Sequence, residues 1–167
     1  MECCCKGNLV GSTVTNALAS EMFYERWSDW IDIELAKSRQ GPPNDFGIYQ
    51  IRAVTPSGEP IPISRIVGVD PSGILYVGRS GYRHQRSKRT VANRIREFLS
   101  QQHSGGVTYA RVKDTLQRAS QFSGHRLQVR AMFLPDEEID ATEPDVLRDY
   151  FSRHGELPPC NSQLPTA

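Results

Sequence analysis

Apolar residues change their spacing several times along the chain, and each change marks an element. Between Ser20 and about Arg39, Phe23, Trp27, Trp30, Ile31 and Leu35 recur at helical spacing. With Ser20 placed to cap it, this stretch predicts an amphipathic helix packed on the domain that follows, its tryptophans either in the core or free to stack on bases. The breaker cluster Gly41-Pro42-Pro43-Asn44 closes it. From Phe46 to Val54 the period becomes two, with Tyr49, Ile51 and Ala53 alternating against Ile48, Gln50 and Arg52, as in a strand. Pro, Gly and Ser then dominate Thr55 to Gly73, apart from an extended piece near Ile63 to Val69, and Ile74 to Gly78 reads as a second strand. The two strands make an elaborated hairpin whose middle is an insertion.

Helical spacing returns behind Thr90, a plausible N-cap, with Val91, Ile95, Phe98 and Leu99 on one face through about Ser100. Arg94 falls at the edge of that face and Arg96 points to water. A short helix is expected from about Tyr109 to Gln117, followed by a third strand in which Leu127, Val129, Ala131 and Phe133 alternate with Gln128, Arg130 and Met132. Thr142-Glu143-Pro144-Asp145 has the composition of a helix start: Thr142 caps, Pro144 sits in the first turn and Asp145 faces the dipole. Val146, Leu147, Tyr150 and Phe151 form its stripe, and Pro158-Pro159 ends it. Glu143 lies on the same inward face, where a carboxylate is unfavourable unless a cation or donor meets it.

Composition narrows the picture modestly. At 167 residues, 38% apolar and 8% aromatic, the chain suits one soluble domain with short extensions. No apolar run approaches the roughly 20 residues of a membrane span, and residues 1–12 lack the features of a secretory signal, so a cytoplasmic protein without a membrane partner is expected. Cys3, Cys4 and Cys5 are consecutive and cannot converge as spaced zinc or disulfide ligands do, which favours an unstructured terminus over a metal or lipid site; Cys160 stands alone.

Charge changes the picture more. Arg79, Arg83, Arg86, Lys88, Arg89, Arg94 and Arg96 fall within one stretch that has no acidic residue, so the other 13 of the 20 basic side chains are outnumbered by the 19 acidic ones. A basic stripe on an otherwise acidic protein points to a polyanion at one face, against the alternative of a merely solvated loop and helix.

The succession of strand, hairpin, strand, Arg-bearing helix, strand and Glu-bearing helix resembles the GIY-YIG nuclease domain. Gly47-Ile48-Tyr49 and Tyr76-Val77-Gly78 match its two naming motifs, followed by Arg94, Glu143 and, after a proline pair, Asn161. The resemblance covers about Phe46 to Asn161. It implies an α/β (α+β) fold with a small three-stranded sheet flanked by helices, here with an extra N-terminal helix and an insertion between the motif strands. The corresponding division is a flexible N-terminus at 1–15, a helix and linker at 16–45, the nuclease-like domain at 46–161 and a tail at 162–167.

The resemblance also implies the chemistry: hydrolysis of DNA phosphodiesters with one divalent cation, Mg²⁺ or alternatively Mn²⁺, held by Glu143. Arg94 is the implied phosphate clamp, Tyr49 and Tyr76 the tyrosine pair, and Asn161 a support of the site. These types suit the reaction, because a hard cation on one carboxylate, a bidentate guanidinium and a tyrosine near charge together neutralise and position a phosphate. One of the two tyrosines is expected to act as general base. Gly78, Arg79, Arg83, Arg86, Lys88 and Arg89 are the expected DNA contacts, Gly78 because a missing side chain lets backbone come close to a phosphate or a neighbouring helix.

Two departures stand out. Many members carry a histidine one turn after the arginine, where this chain has Phe98; His103, further on, resembles a second histidine of part of the family and is expected either to aid proton transfer or to be a helix-end residue. Residues 50 to 75 separate the tyrosines, longer than usual, as in restriction enzymes of this type. A restriction endonuclease, working as a homodimer on a palindromic site in double-stranded DNA, is thus the leading expectation. Repair, homing and toxin nucleases, and a non-catalytic nucleic-acid-binding module, are the alternatives; an immunity or methyltransferase partner would not be visible in one chain.

Overall fold

The computed structural model describes residues 26–38, 46–81 and 89–163. They form a mixed α+β fold built on a four-stranded antiparallel sheet, in the order β1 (Ile31–Asp32), β6 (Arg126–Phe133), β2 (Gly47–Val54), β5 (Ile74–Ser80). β2 is central and buried on both faces, which suits its nearly continuous apolar run. Tyr49, Ile51, Ala53, Val129 and Ala131 turn to one face, under α1 (Ile33–Ser38), α2 (Val91–Leu99) and α3 (Ser104–Arg118). Ile48, Val77 and Met132 turn to the other, against Ile139, Val146, Leu147 and Tyr150 of α4 (Asp136–His154). Among the described residues no helix is long and apolar enough to cross a membrane.

The insertion is ordered. β3 (Ile63–Ser64) and β4 (Val69–Asp70) make a two-stranded arm tied to the end of α4. The Val67 N–H donates to His154 O at 3.0 Å, the Ile66 N–H to Glu156 Oε1 at 2.9 Å, and Arg65 pairs with Glu156 at 3.1 Å. Buried Asp70 accepts from the Tyr150 hydroxyl at 3.1 Å and from the Ser72 and Ile74 amides at 2.8 Å.

Three expectations need correction. Residues 20–25 lie outside the described residues, but from Arg26 to Trp30 the chain is not helical, and Ile31–Asp32 form a strand before the helix that starts at Ile33. Ile31 and Asp32 pair with Val129 and Gln128, adding a fourth strand, and the Ser28 N–H donates to Ala131 O at 2.8 Å. The open edge of β6 has backbone groups to satisfy, and this demand outweighs the helical spacing of the tryptophans. Trp27 and Trp30 instead stack on guanidiniums: Arg130 lies 4.8 and 4.7 Å from their ring centroids, and Arg52 4.2 Å from that of Trp30.

The expected helix at Tyr109 starts five residues earlier. His103 caps it, and Gly105 and Gly106, poor helix formers, are present because a Cβ at Gly105 would lie 2.4 Å from the Tyr76 ring and one at Gly106 2.1 Å from Phe98 O. The last helix begins at Asp136 instead of Thr142. Asp136, Glu137 and Glu138 fill a first turn favoured by the dipole, and the Thr142 hydroxyl bonds back to Glu138 O at 2.7 Å instead of capping. Pro144 therefore sits inside the helix, with no N–H to give to the carbonyl four residues back. Gly155, at φ 71°, ends the helix before the proline pair. By contrast, α2 runs as its periodicity predicts, with Thr90 Oγ1 accepting from the Asn93 amide at 3.3 Å.

Candidate active site

β5 is the sheet edge, and a cleft of about 410 Å3 opens beside it. Tyr76, Arg79, Arg94, His103, Glu143 and Asn161 all line it. Six residues spread over 86 positions of sequence thus meet because β5, α2, α3, α4 and the segment after Pro159 converge on one edge.

Tyr49 stands behind this group. Its Cα pairs with that of Gly78 across the β2–β5 ladder, and its ring meets Tyr76 at 5.9 Å between centroids, tilted by 48°. A Cβ on Gly78 would lie 2.5 Å from the Tyr76 ring and 2.8 Å from the Tyr49 hydroxyl, so the room that Gly78 leaves is taken by the protein's own tyrosines. Phe98, at the position of the absent histidine, packs against Tyr76 at 5.4 Å. A histidine reaches the same ring from the start of α3: His103 Nε2 lies 3.1 Å from the Tyr76 hydroxyl, and Nδ1 accepts from the Gly105 N–H at 3.1 Å.

The electrostatics follow from this enclosure. Burial pushes both tyrosine hydroxyls well above their ordinary range; Arg94 opposes the shift and Glu143 adds to it. The Tyr49 hydroxyl is fully buried, and the polar side chains that act on it are Arg94, by its charge and as a donor, and the Tyr76 hydroxyl. Burial, then the Arg94 charge, lowers His103 to about 4, so the ring is neutral at physiological pH. Burial also raises Glu143, an effect that Arg79 and Arg94 only partly offset.

Both cleft arginines are held by carboxylates. Arg79 Nε contacts Glu143 Oε2 at 3.1 Å while its Nη1 reaches Asp140; Arg94 Nη1 contacts Glu97 Oε2 at 2.6 Å. Glu97 also meets Arg89 at 3.2 Å. Glu97 and Asp140 were not singled out from the sequence; Glu97 lies three residues along α2 from Arg94, the spacing at which side chains meet, but Asp140 meets Arg79 from a different element and carries no such signal. Asn161 turns its amide to the backbone of Val77, accepting from the N–H at 2.9 Å and donating to the carbonyl at 2.8 Å.

Comparison of the chain with protein-family profiles, with curated proteins and with solved structures returns no match. The expected DNA contacts are not all gathered there: Arg79 is, Arg89 lies on Glu97 at the exposed start of α2, Gly78 is buried, and Arg83, Arg86 and Lys88 lie outside the described residues.

Among the described residues, no three His, Cys, Asp or Glu side chains converge as a metal-binding set. A cage of several protein ligands does not fit this cleft. A hard cation held by one carboxylate and completed by waters and phosphate oxygens does, because Glu143 is an enclosed carboxylate whose charge is incompletely compensated.

Proposed function

We propose that this chain is a divalent-metal-dependent endonuclease of GIY-YIG type that hydrolyses DNA phosphodiester bonds. The observation that carries the reading is the meeting of Tyr76, Arg94, His103, Glu143 and Asn161 at one cleft with Tyr49 directly behind. The two tripeptides that suggested the family occupy neighbouring antiparallel strands, Tyr49 opposite Gly78, and the arginine, glutamate and asparagine arrive from separate elements.

In this reading Glu143 holds Mg²⁺ or Mn²⁺, which when bound supplies charge neutralisation at the phosphodiester. Arg94 offers a fork that matches two phosphoryl oxygens and turns from Glu97 to the phosphate as substrate enters. Arg79 keeps Glu143 ionised and in place. Asn161 touches no substrate; it holds the β5 edge, and with it Tyr76, in register. Tyr49 fixes the Tyr76 ring from below.

Restriction is the role we favour, because the insertion between the tyrosines is a formed arm docked on α4, the kind of fixed element that can read bases, and a homodimer would present two such arms to a palindrome. Cleavage of plasmid DNA with Mg²⁺ or Mn²⁺ tests the proposal. Glu143→Ala and Arg94→Ala are each expected to lower the rate by about 10²–10³-fold, the scale for loss of a group that stabilises transition-state charge. Equal cutting by all three proteins would end the reading. Cuts at one short palindrome support restriction, whereas scattered cuts point to a repair or toxin nuclease.

A further inference from the structure

We propose that the outward face of α3 is a docking surface for the phosphate backbone of a DNA duplex beside the point of cleavage, with Arg111 and Arg118 as its charged contacts. The inference rests on the nuclease reading of the cleft and adds to it residues that lie outside the basic stretch from Arg79 to Arg96.

Helical geometry sets the face. Gly105, Gly106, Tyr109 and Leu116 turn α3 onto the core, where the Tyr109 ring stacks on Phe98 at 5.7 Å and its hydroxyl lies 2.9 Å from His125 Nε2. At about 100° per residue, Ser104, Thr108, Arg111, Thr115 and Arg118 then fall in one strip roughly 80° wide on the opposite side. Thr108 is half-buried and the other four are exposed. The strip begins at the cleft, because Ser104 is part of its wall. With a rise of about 1.5 Å per residue, it carries a positive charge about 10 Å and again about 21 Å from that wall.

Charge decides what the strip fits. The cations at the cleft are already compensated, Arg79 by Glu143 and Asp140, and Arg94 and Arg89 by Glu97. Among the described residues, Arg111 and Arg118 form no ion pair; Arg118 Nε donates instead to the backbone of Asp114 at 3.2 Å. Asp114, the one carboxylate of α3, stands at the flank of the strip and pairs with neither. A face that is merely solvated has the pattern of α4, where Arg148 meets Asp145 and Arg153 meets Asp149. The strip instead joins two charges left to water with the hydroxyls of Ser104, Thr108 and Thr115, side chains of the kinds that contact phosphate oxygens. It has no large apolar side chain to anchor a protein partner. A duplex backbone fits its straightness and length: at about 3.4 Å per step, 21 Å runs along roughly six steps.

The test is binding without cutting: the affinity of the full-length protein for a fluorescent duplex in EDTA, followed over roughly 50–200 mM KCl. Each phosphate contact adds about 0.9 to the slope of log affinity against log salt. Arg111→Gln and Arg118→Gln are each expected to flatten the slope by about 0.9 and the double variant by about 1.8, so that over this fourfold range its affinity falls about tenfold less than that of the wild type. Both sites are exposed and glutamine is a good helix former, so the fold is kept. Lys113→Gln removes the same charge from another exposed side of α3 and should leave the slope as in the wild type. Equal slopes for wild type and double variant overturn the proposal, as do an equal flattening in Lys113→Gln, an effect confined to single-stranded DNA, or no binding by the wild type. If the slopes change as expected but no DNA is cut with Mg²⁺ or Mn²⁺, the nuclease reading falls and the docking surface stands.

Discussion

Asn161 gives both ends of its side-chain amide to a single residue, accepting from Val77 N–H at 2.9 Å and donating to Val77 O at 2.8 Å. An amide oriented in this way stands in for the strand that β5 lacks on its outer side, and the Cys160 N–H extends the pairing to Leu75 O at 2.8 Å. Removing it strands two backbone groups of the strand that carries Tyr76. Asn161→Ala should lower stability by about 1–3 kcal/mol, which at this chain length is roughly 2–4 °C of melting temperature per kcal/mol. A melt superimposable on wild type would show that the amide has no such role.

Glu143 gives the mutation whose effects on stability and activity oppose each other. Its carboxyl titrates higher in the fold than in the unfolded chain, so above the ordinary pKa the unfolded state ionises first and binds fewer protons. Stability contributed at this group is therefore present below about pH 4.5 and declines as pH rises through the folded value. Glu143→Gln should melt at or above the wild-type temperature at pH 8 and lose cleavage. Thermal melts at pH 4.5 and pH 8 check it; a large loss at pH 8 would contradict the burial penalty.

Arg79→Ala should act in the other direction on the same group. Without its contact at 3.1 Å the Glu143 charge is less compensated. The variant should lose more stability at pH 7–8 than near pH 4.5, where the raised Glu143 carboxyl is more fully protonated, and the Asp140 contact adds to the loss. A deficit independent of pH would show that Arg79 does not compensate Glu143.

His103 produces the complementary slope. With its folded pKa at about 4, below the ordinary 6.5, the unfolded chain takes up a proton first as pH falls. The stability it contributes is present above pH 6.5 and is lost toward pH 4. Urea titrations of wild type and His103→Gln across pH 4–7 should show a shallower slope in the variant; parallel curves would refute the assignment.

Gly105→Ala reverses a general rule. Alanine is the better helix former by about 1 kcal/mol, yet here its Cβ would enter the Tyr76 ring at 2.4 Å. The variant should be destabilised by about 1–3 kcal/mol, the range for overpacking a core. A more stable variant would mean that the ring moves aside freely.

How far the chain could be read beforehand depended on which force acted locally. β2, β6 and α2 follow periodicity because the partners of their apolar faces are other parts of the same two layers. Tyr49, Tyr76, Arg94, Glu143 and Asn161 form an ordered set along the sequence; the last four come together at the β5 edge, with Tyr49 behind them. Trp27 and Trp30 misled because their spacing fits a helix while the need for pairing at β6 is set by residues a hundred positions away. Thr142-Glu143-Pro144 misled because its cap-like composition is the same whether a helix starts there or passes through. Glu97, three residues from Arg94, was within reach of helix-pair spacing, whereas Asp140 meets Arg79 across two distant elements and is legible only in the cleft.

The arm formed by β3 and β4 is fastened to the last turn of α4 and just beyond it, at His154, Glu156 and Leu157, while Glu143 rides on the same helix about three turns upstream. Arm and carboxylate are thus two ends of one lever. The tip at Ile66 and Val67 is exposed, and a displacement there would reach Glu143 only through this helix, past the missing hydrogen bond at Pro144 beside it.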